Sequence, residues 1–342
     1  MARLYLDFGE DFERVQPVLQ RWYDETVDLL LPSLGDGMRP PKRGRAVNEG
    51  AAARPVSAWR DALTPDVCQI SWTWSNRRRR SSLDLYVFRF AAPDHLMLEA
   101  SVSFEDQPGR LAEIAPRLQE MLRRVASSTD PAYGEVALDG GAVTGETLLD
   151  MGLYRINSDS AAESRRFLRG YDWVTVVPRE LAERLGGVAP LAASGAFAEV
   201  VPLPEGGVLL RAGEAEDPYR PETVHAVFRA LAPVLPAGQP RRLPGYDLSR
   251  LVFADPAQLE PTDPAPAPVE APIHTAQAQI ISDFAVEAVK KGWLTSEPLP
   301  PDHPGAAAGL LDGHARVGLT EERRQRAEEL ASRLAQDSDP AP

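Results

Sequence analysis

The chain has 342 residues, 43% of them hydrophobic, enough for two modest domains with real cores. Its formal net charge of −13 opposes long-range attraction to nucleic acid or to an anionic membrane. One cysteine, Cys68, excludes an intrachain disulfide framework and a thiolate metal site.

The opening MARLYLDFGEDF has no basic stretch ahead of an apolar run, so no secretory signal is read there. No apolar stretch approaches the roughly 18 residues needed to span a membrane, and a cytoplasmic protein is expected. Residues 12–31 set Val15, Val18, Leu19, Trp22, Val27, Leu30 and Leu31 at helical spacing, which predicts an amphipathic helix with Pro17 near its first turn. Residues 35–57 mix Gly, Pro and charge without periodicity and predict a long loop.

Three strands are predicted next: Cys68–Ser75, Leu83–Phe90 and Leu96–Phe104. Turn chemistry separates them, so they form an antiparallel meander. Tyr86, Phe88 and Phe90 alternate with Leu85, Val87 and Arg89, which gives one face a run of aromatics. The Arg77–Arg80 run is a solvated hairpin tip whose charge discourages edge-to-edge association. Leu118, Met121, Leu122 and Val125 then share a helix face, with Pro116 placed as the first helical residue. Tyr133–Leu138 is a further strand, and Asn157–Arg166 a polar connection.

The second half opens with a strand at Asp172–Val177, in which Trp173 is expected to share a buried face with Tyr171 and Thr175. A short helix follows Pro178 and stops at Gly186 and Gly187. Phe197–Leu203 and Val208–Ala212 make a hairpin around PEGG, and Val224, Val227, Phe228, Leu231 and Leu235 stripe a last helix. Residues 255–272 are a Pro-rich acidic linker, expected to lack stable structure. Helices are predicted beyond it at Ala276–Trp293 and Thr320–Gln336.

The fold expected is α+β: mainly antiparallel sheets with packed helices in two similarly built halves, 1–150 and 151–254. The linker at 255–272 and a helical, partly disordered tail at 273–342 complete it. Catalytic signatures are missing from the sequence. There is no GxSxG elbow, no Walker loop and no GxGxxG after a strand. His95, His225, His274, His303 and His314 show no metal-ligand spacing. Glu105 and Asp106 are assigned to helix entry. No catalytic residue, cofactor or metal ligand is therefore assigned, and a non-enzymatic protein is expected.

Two resemblances give this a direction. The string GYDWVTVV…LGG…FAEVVPLPEGGVLLRAG…Y…VFRALAPVLP resembles the C-terminal half of the type VI immunity-like family, bacterial proteins associated with polymorphic and secreted toxin systems. The matching positions are Gly170, Trp173, Thr175, Leu185, Gly186, Gly187, Gly207, Leu209, Ala212, Gly213 and Tyr219. The similarity extends over residues 70–240. It implies a protein that binds and neutralises a cognate toxin; the acidic charge leads to the expectation of no nucleic-acid or membrane partner. Separately, VSFEDQPGRLAEI is similar to the D-x-P-G-x-L-A-x-I strand-to-helix turn of ACT-type amino-acid-binding domains, matched at Asp106, Pro108, Gly109, Leu111, Ala112 and Ile114. That resemblance implies, as the alternative, a regulatory module holding a small amino-acid-like ligand near Asp106, Gly109 and Arg110.

Overall fold

The computed structural model describes residues 1–35, 44–76, 80–90, 94–104, 109–138, 145–153, 155, 157–215, 217–236 and 251–252. All of these belong to one compact unit. The predicted linker and tail helices, the Arg77–Arg79 part of the arginine run, and Glu105 and Asp106 lie outside the described residues.

Ten strands form one sheet: β1 (Ala2–Leu6), β2 (Gly44–Asn48), β3 (Arg54–Val56), β4 (Val67–Asn76), β5 (Ser81–Arg89), β6 (Leu96–Ser103), β7 (Tyr133–Val136), β8 (Val174–Val177), β9 (Glu199–Pro202) and β10 (Val208–Arg211). Their order is β3-β2-β4-β5-β6-β1-β7-β8-β10-β9, and each neighbouring pair is antiparallel. The helices are α1 (Phe12–Leu29), α2 (Trp59–Ala62), α3 (Arg110–Ala126), α4 (Leu148–Leu153), α5 (Asn157–Ala162), α6 (Arg179–Arg184), α7 (Val188–Ala193) and α8 (Pro221–Leu231). The fold is therefore α+β and antiparallel, as expected, and the meander β4-β5-β6 runs in the predicted order.

The two halves share a plan. In the first, β1-α1 leads to the hairpin β5-β6 and then α3, with strand order β5-β6-β1. In the second, β8-α6-α7 leads to the hairpin β9-β10 and then α8, with order β9-β10-β8. Strand β7 lies between β1 and β8 and is antiparallel to both, so β1 and β8 run parallel. The first half with β7 is a ferredoxin-like split β-α-β arrangement, extended at β5 by β4, β2 and β3.

The helices of the two halves cover opposite faces of the sheet. Helices α1 and α3 bury Val15, Leu19, Trp22, Leu118 and Leu122 with Leu4, Leu85 and Leu98 on one face. Helices α6, α7 and α8 bury Leu181, Leu191, Val227 and Phe228 with Val208 and Leu210 on the other. Parallel equivalent strands with helices on opposite faces are what a two-fold rotation about an axis along the strands produces.

Several expectations need correction. Strand β1 was not anticipated, yet it occupies the middle of the sheet between β6 and β7. The loop predicted at 35–57 contains β2 and β3. Helix α3 begins at Arg110, so Pro116 sits inside it rather than at its start. The polar connection at 157–166 holds α5. Trp173 does not share a face with Tyr171. Asp172 interrupts the strand by accepting from the Trp173 backbone N–H at 2.7 Å, so β8 starts at Val174. Trp173 then packs with Val174 and Val176 on the α1/α3 face, while Tyr171 packs on the other.

Candidate functional site

The register lines up one residue per strand into a row across the sheet. It runs Arg45, Ser71, Tyr86, Glu99, Arg3, Glu135, Thr175, Leu210 and Val200. One end is polar and aromatic, the centre is ionic, and the far end is apolar beneath α8.

The ionic centre is closed over by α4 and α5. Arg3 donates from Nε to Glu99 Oε2 at 2.7 Å and from Nη1 to the Glu146 carbonyl at 2.9 Å, with Glu135 Oε1 at 3.4 Å. Tyr133 donates its hydroxyl to the other Glu135 oxygen at 2.9 Å. Beside it, Arg169 and Asp150 are both 0% exposed and pair at 3.0 Å. Arg169 also donates to Asn157 Oδ1 at 2.6 Å and Ser160 Oγ at 3.2 Å, and its guanidinium carbon stands 4.2 Å over the Tyr5 ring. Its Nη1 has no hydrogen-bond partner, so the aromatic face is the neighbour that compensates part of its burial. Burial pushes the Tyr5 and Tyr133 phenols up; Arg3 pulls Tyr5 partly back, while Glu135 pushes Tyr133 further up. Burial also raises the Glu146 carboxyl, with Asp150 adding to the effect. Charges this deep persist because each is paired and hydrogen-bonded, and such pairs fix geometry more than they add net stability. The centre ties β1, β6 and β7 to the segment 145–169, which joins the two halves.

The other end of the row is open. Beyond β6 toward β4, the face opposite α1 and α3 carries no helix among the described residues. It displays Ser71, Thr73 and Ser75 on β4, Ser82, Asp84, Tyr86 and Phe88 on β5, and Ser101 and Ser103 on β6. None of these is fully buried; Tyr86 and Phe88 are half-buried, packed against the edge of the second core. Tyr86 and Phe88 stack with centroids 6.3 Å apart and planes 10° from parallel. Burial raises the Tyr86 phenol, and Glu99 adds to the shift. Thr73 Oγ1 donates to Asp84 Oδ1 at 2.6 Å and Ser82 Oγ to Asp84 Oδ2 at 2.9 Å. Small hydroxyls interspersed with rigid aromatics make adaptable hydrogen bonds and low-entropy apolar contacts, the composition of antibody-type paratopes.

Both outer strands of the sheet contain proline. Pro55 is the middle residue of β3. Pro202 ends β9, and because the next residue, Leu203, donates to Gly207 at 2.8 Å, the Pro202 nitrogen points away from β10. A proline there removes an outward donor, so these edges are poor templates for an added strand.

The sequence-predicted site residues fall elsewhere. Gly109 is the left-handed residue (φ 79°) that turns β6 into α3, and a Cβ there would meet open space. Arg110 pairs with Glu113 at 2.5 Å and donates to the Ser33 carbonyl beyond the end of α1. Asp106, the third member, lies outside the described residues. The match to the ACT-type turn does occupy a strand-to-helix junction. His95 is buried with Nδ1 2.7 Å from Asp94, and His225 lies half-exposed on α8. Among the described residues no His, Cys, Asp or Glu cluster is arranged to hold a metal ion. No helix among them is long and apolar enough to cross a membrane. A cavity of about 10 Å³ between Asp172, Trp173, Tyr219 and Val224 has room for one water. Sequence reasoning found the aromatic alternation on β5 but not the significance of Asp84, whose partners Thr73 and Ser82 become visible only with the hairpin register.

No family model matches this chain. No curated protein matches it. Among solved structures it is similar to the Pseudomonas aeruginosa T6SS protein PA0821, with a TM-score of 0.43 and 15% sequence identity, over 71% of this chain and 76% of that one.

Proposed function

We propose that this chain is a non-enzymatic, immunity-type protein of the bacterial cytoplasm that binds and neutralises a cognate toxin. The observation that carries the reading is the open face of β4, β5 and β6. It is a broad, structured surface of hydroxyls and stacked aromatics, set on a sheet whose two edges are blunted by proline. A protein that works by binding needs such a rigid, preformed surface, and its free and bound shapes then differ little. The sequence resemblance over residues 70–240 points the same way. The net charge of −13 favours a basic protein partner over nucleic acid or anionic lipid.

The test is genetic. Cells expressing the product of the neighbouring reading frame should stop growing, and co-expression of this chain should restore growth. Growth arrest that this chain does not relieve would count against the reading. The alternative is an ACT-like regulatory module, supported by the junction at Gly109 and the split β-α-β arrangement around it. An amino acid that raises the melting temperature, with the effect lost in a folded Gly109→Val variant, would put that reading first.

A further inference from the structure

We propose that Asp84 and Tyr86 form a recognition site for a guanidinium group, an arginine side chain presented by the partner protein. The inference rests on the binding role proposed above and names the chemistry at its centre.

Asp84 is the carboxylate of the open face that is held in place without a cation. Thr73 and Ser82 each donate to one of its oxygens, at 2.6 and 2.9 Å, which fixes the plane of the group. No cation among the described residues pairs with it, whereas Glu99, one strand over and nearer the centre, is neutralised by Arg3 at 2.7 Å. Each Asp84 oxygen keeps a second lone pair, and the residue is only half-buried. A fixed carboxylate accepts the two parallel N–H groups of a guanidinium at less entropic cost than a freely rotating one.

Tyr86 lies two residues along β5, on the same face and about 7 Å away at strand spacing. Its ring is held flat against Phe88 by stacking, so its orientation is set before any partner arrives. A guanidinium bound to Asp84 would lay its stem or its plane along this ring, an arrangement arginine suits better than lysine. The opposing Ser101 and Ser71 are small enough to leave the approach clear. Charge complementarity commits the occupant: Asp84 itself is ringed by the hydroxyls of Thr73, Ser82 and Ser101, Glu99 and Arg45 stand one and two strands from Tyr86 on either side, and the acidic chain attracts a basic partner from a distance.

The probe is Nα-acetyl-L-argininamide, followed through backbone amide shifts of the full chain, with the uncharged isostere Nα-acetyl-L-citrullinamide as control. The arginine probe should give saturable shifts confined to Thr73 and Ser82–Phe88, and the citrulline probe none. Asp84→Asn, which keeps the shape and an acceptor for Thr73, should weaken binding at least about tenfold, as expected for removal of a charge-assisted bidentate pair. Tyr86→Leu should weaken it by about threefold, the size of an exposed cation–π contact. Equal shifts with both probes, unchanged binding in both variants, or shifts scattered over the acidic surface would overturn the site. The two proposals fail separately. A toxin that binds Asp84→Asn as tightly as the wild type removes the arginine site and leaves the immunity role. A neighbouring-frame product that never binds, beside an intact probe response, removes the immunity role and leaves the site.

Discussion

Arg169 and Asp150 are the pair on which the centre of the molecule depends. Both are fully buried and pair at 3.0 Å. Arg169→Met leaves Asp150 Oδ1 with Arg155 at 3.2 Å and Ser160, but strips Oδ2 of its cation in the core. The expected cost is about 3–5 kcal/mol, read as a lower urea midpoint with unchanged slope. Adding Asp150→Leu removes the stranded charge, and the double variant should recover most of the loss. A double variant no more stable than the single one would show that the cost came from packing rather than from charge. Trp173 offers a second test at this scale. It is 2% exposed, packs against the α1/α3 core, and donates its indole N–H to the Gly213 carbonyl at 2.8 Å. Trp173→Ala should cost roughly 3–5 kcal/mol through the cavity it leaves. A variant with normal melting temperature and lost partner binding would instead make Trp173 a surface anchor.

Among the elements, β2 shows how a single residue admits a strand. A Cβ on Gly44 would stand 2.0 Å from the Trp72 ring, so only glycine lets β2 lie beside β4 over that indole. Gly44→Ala must push the ring or the strand aside, at a cost of roughly 1–3 kcal/mol by chemical denaturation. The same strand explains a limit of sequence reading. GRAVN is short, begins with glycine and carries Arg and Asn, so it looked like loop, and its pairing with β4 is a long-range fact. The omission of β1 has another cause. All of ARLYL is buried, so the polar-apolar alternation that marks a half-exposed strand is missing, and Arg3 is hidden by Glu99 and Glu135 rather than by solvent. The meander β4-β5-β6 was legible because turn chemistry bounds it and burial alternates along β4 and β5, and the hairpin β9-β10 because its apolar runs flank the PEGG turn. Helix α3 was legible in its apolar stripe and misplaced at its start, since Pro116 was given the N-terminal role that Gly109 holds.

At the scale of the whole molecule, the opposed helix layers decide where function can sit. Because α1 and α3 cover one face of the first half and α6–α8 the other face of the second, each half has, among the described residues, a face without these helices of its own. In the second half that face is closed by the shared core around Trp173, Val176 and Leu209. In the first half it remains open beyond β6 among the described residues, next to an ionic centre that holds the two halves in register. The candidate surface was therefore half legible: the aromatics of β5 could be read from alternation, whereas the openness of their face follows from long-range topology. The central claim is that this face binds a protein partner. The most direct test is the affinity of the neighbouring-frame product for the wild type and for a Ser71→Arg, Thr73→Arg variant that places bulk and positive charge on the open face. The variant should keep the wild-type melting temperature and bind at least about 100-fold more weakly, a loss of about 2.7 kcal/mol. Unchanged affinity in a folded variant would contradict it.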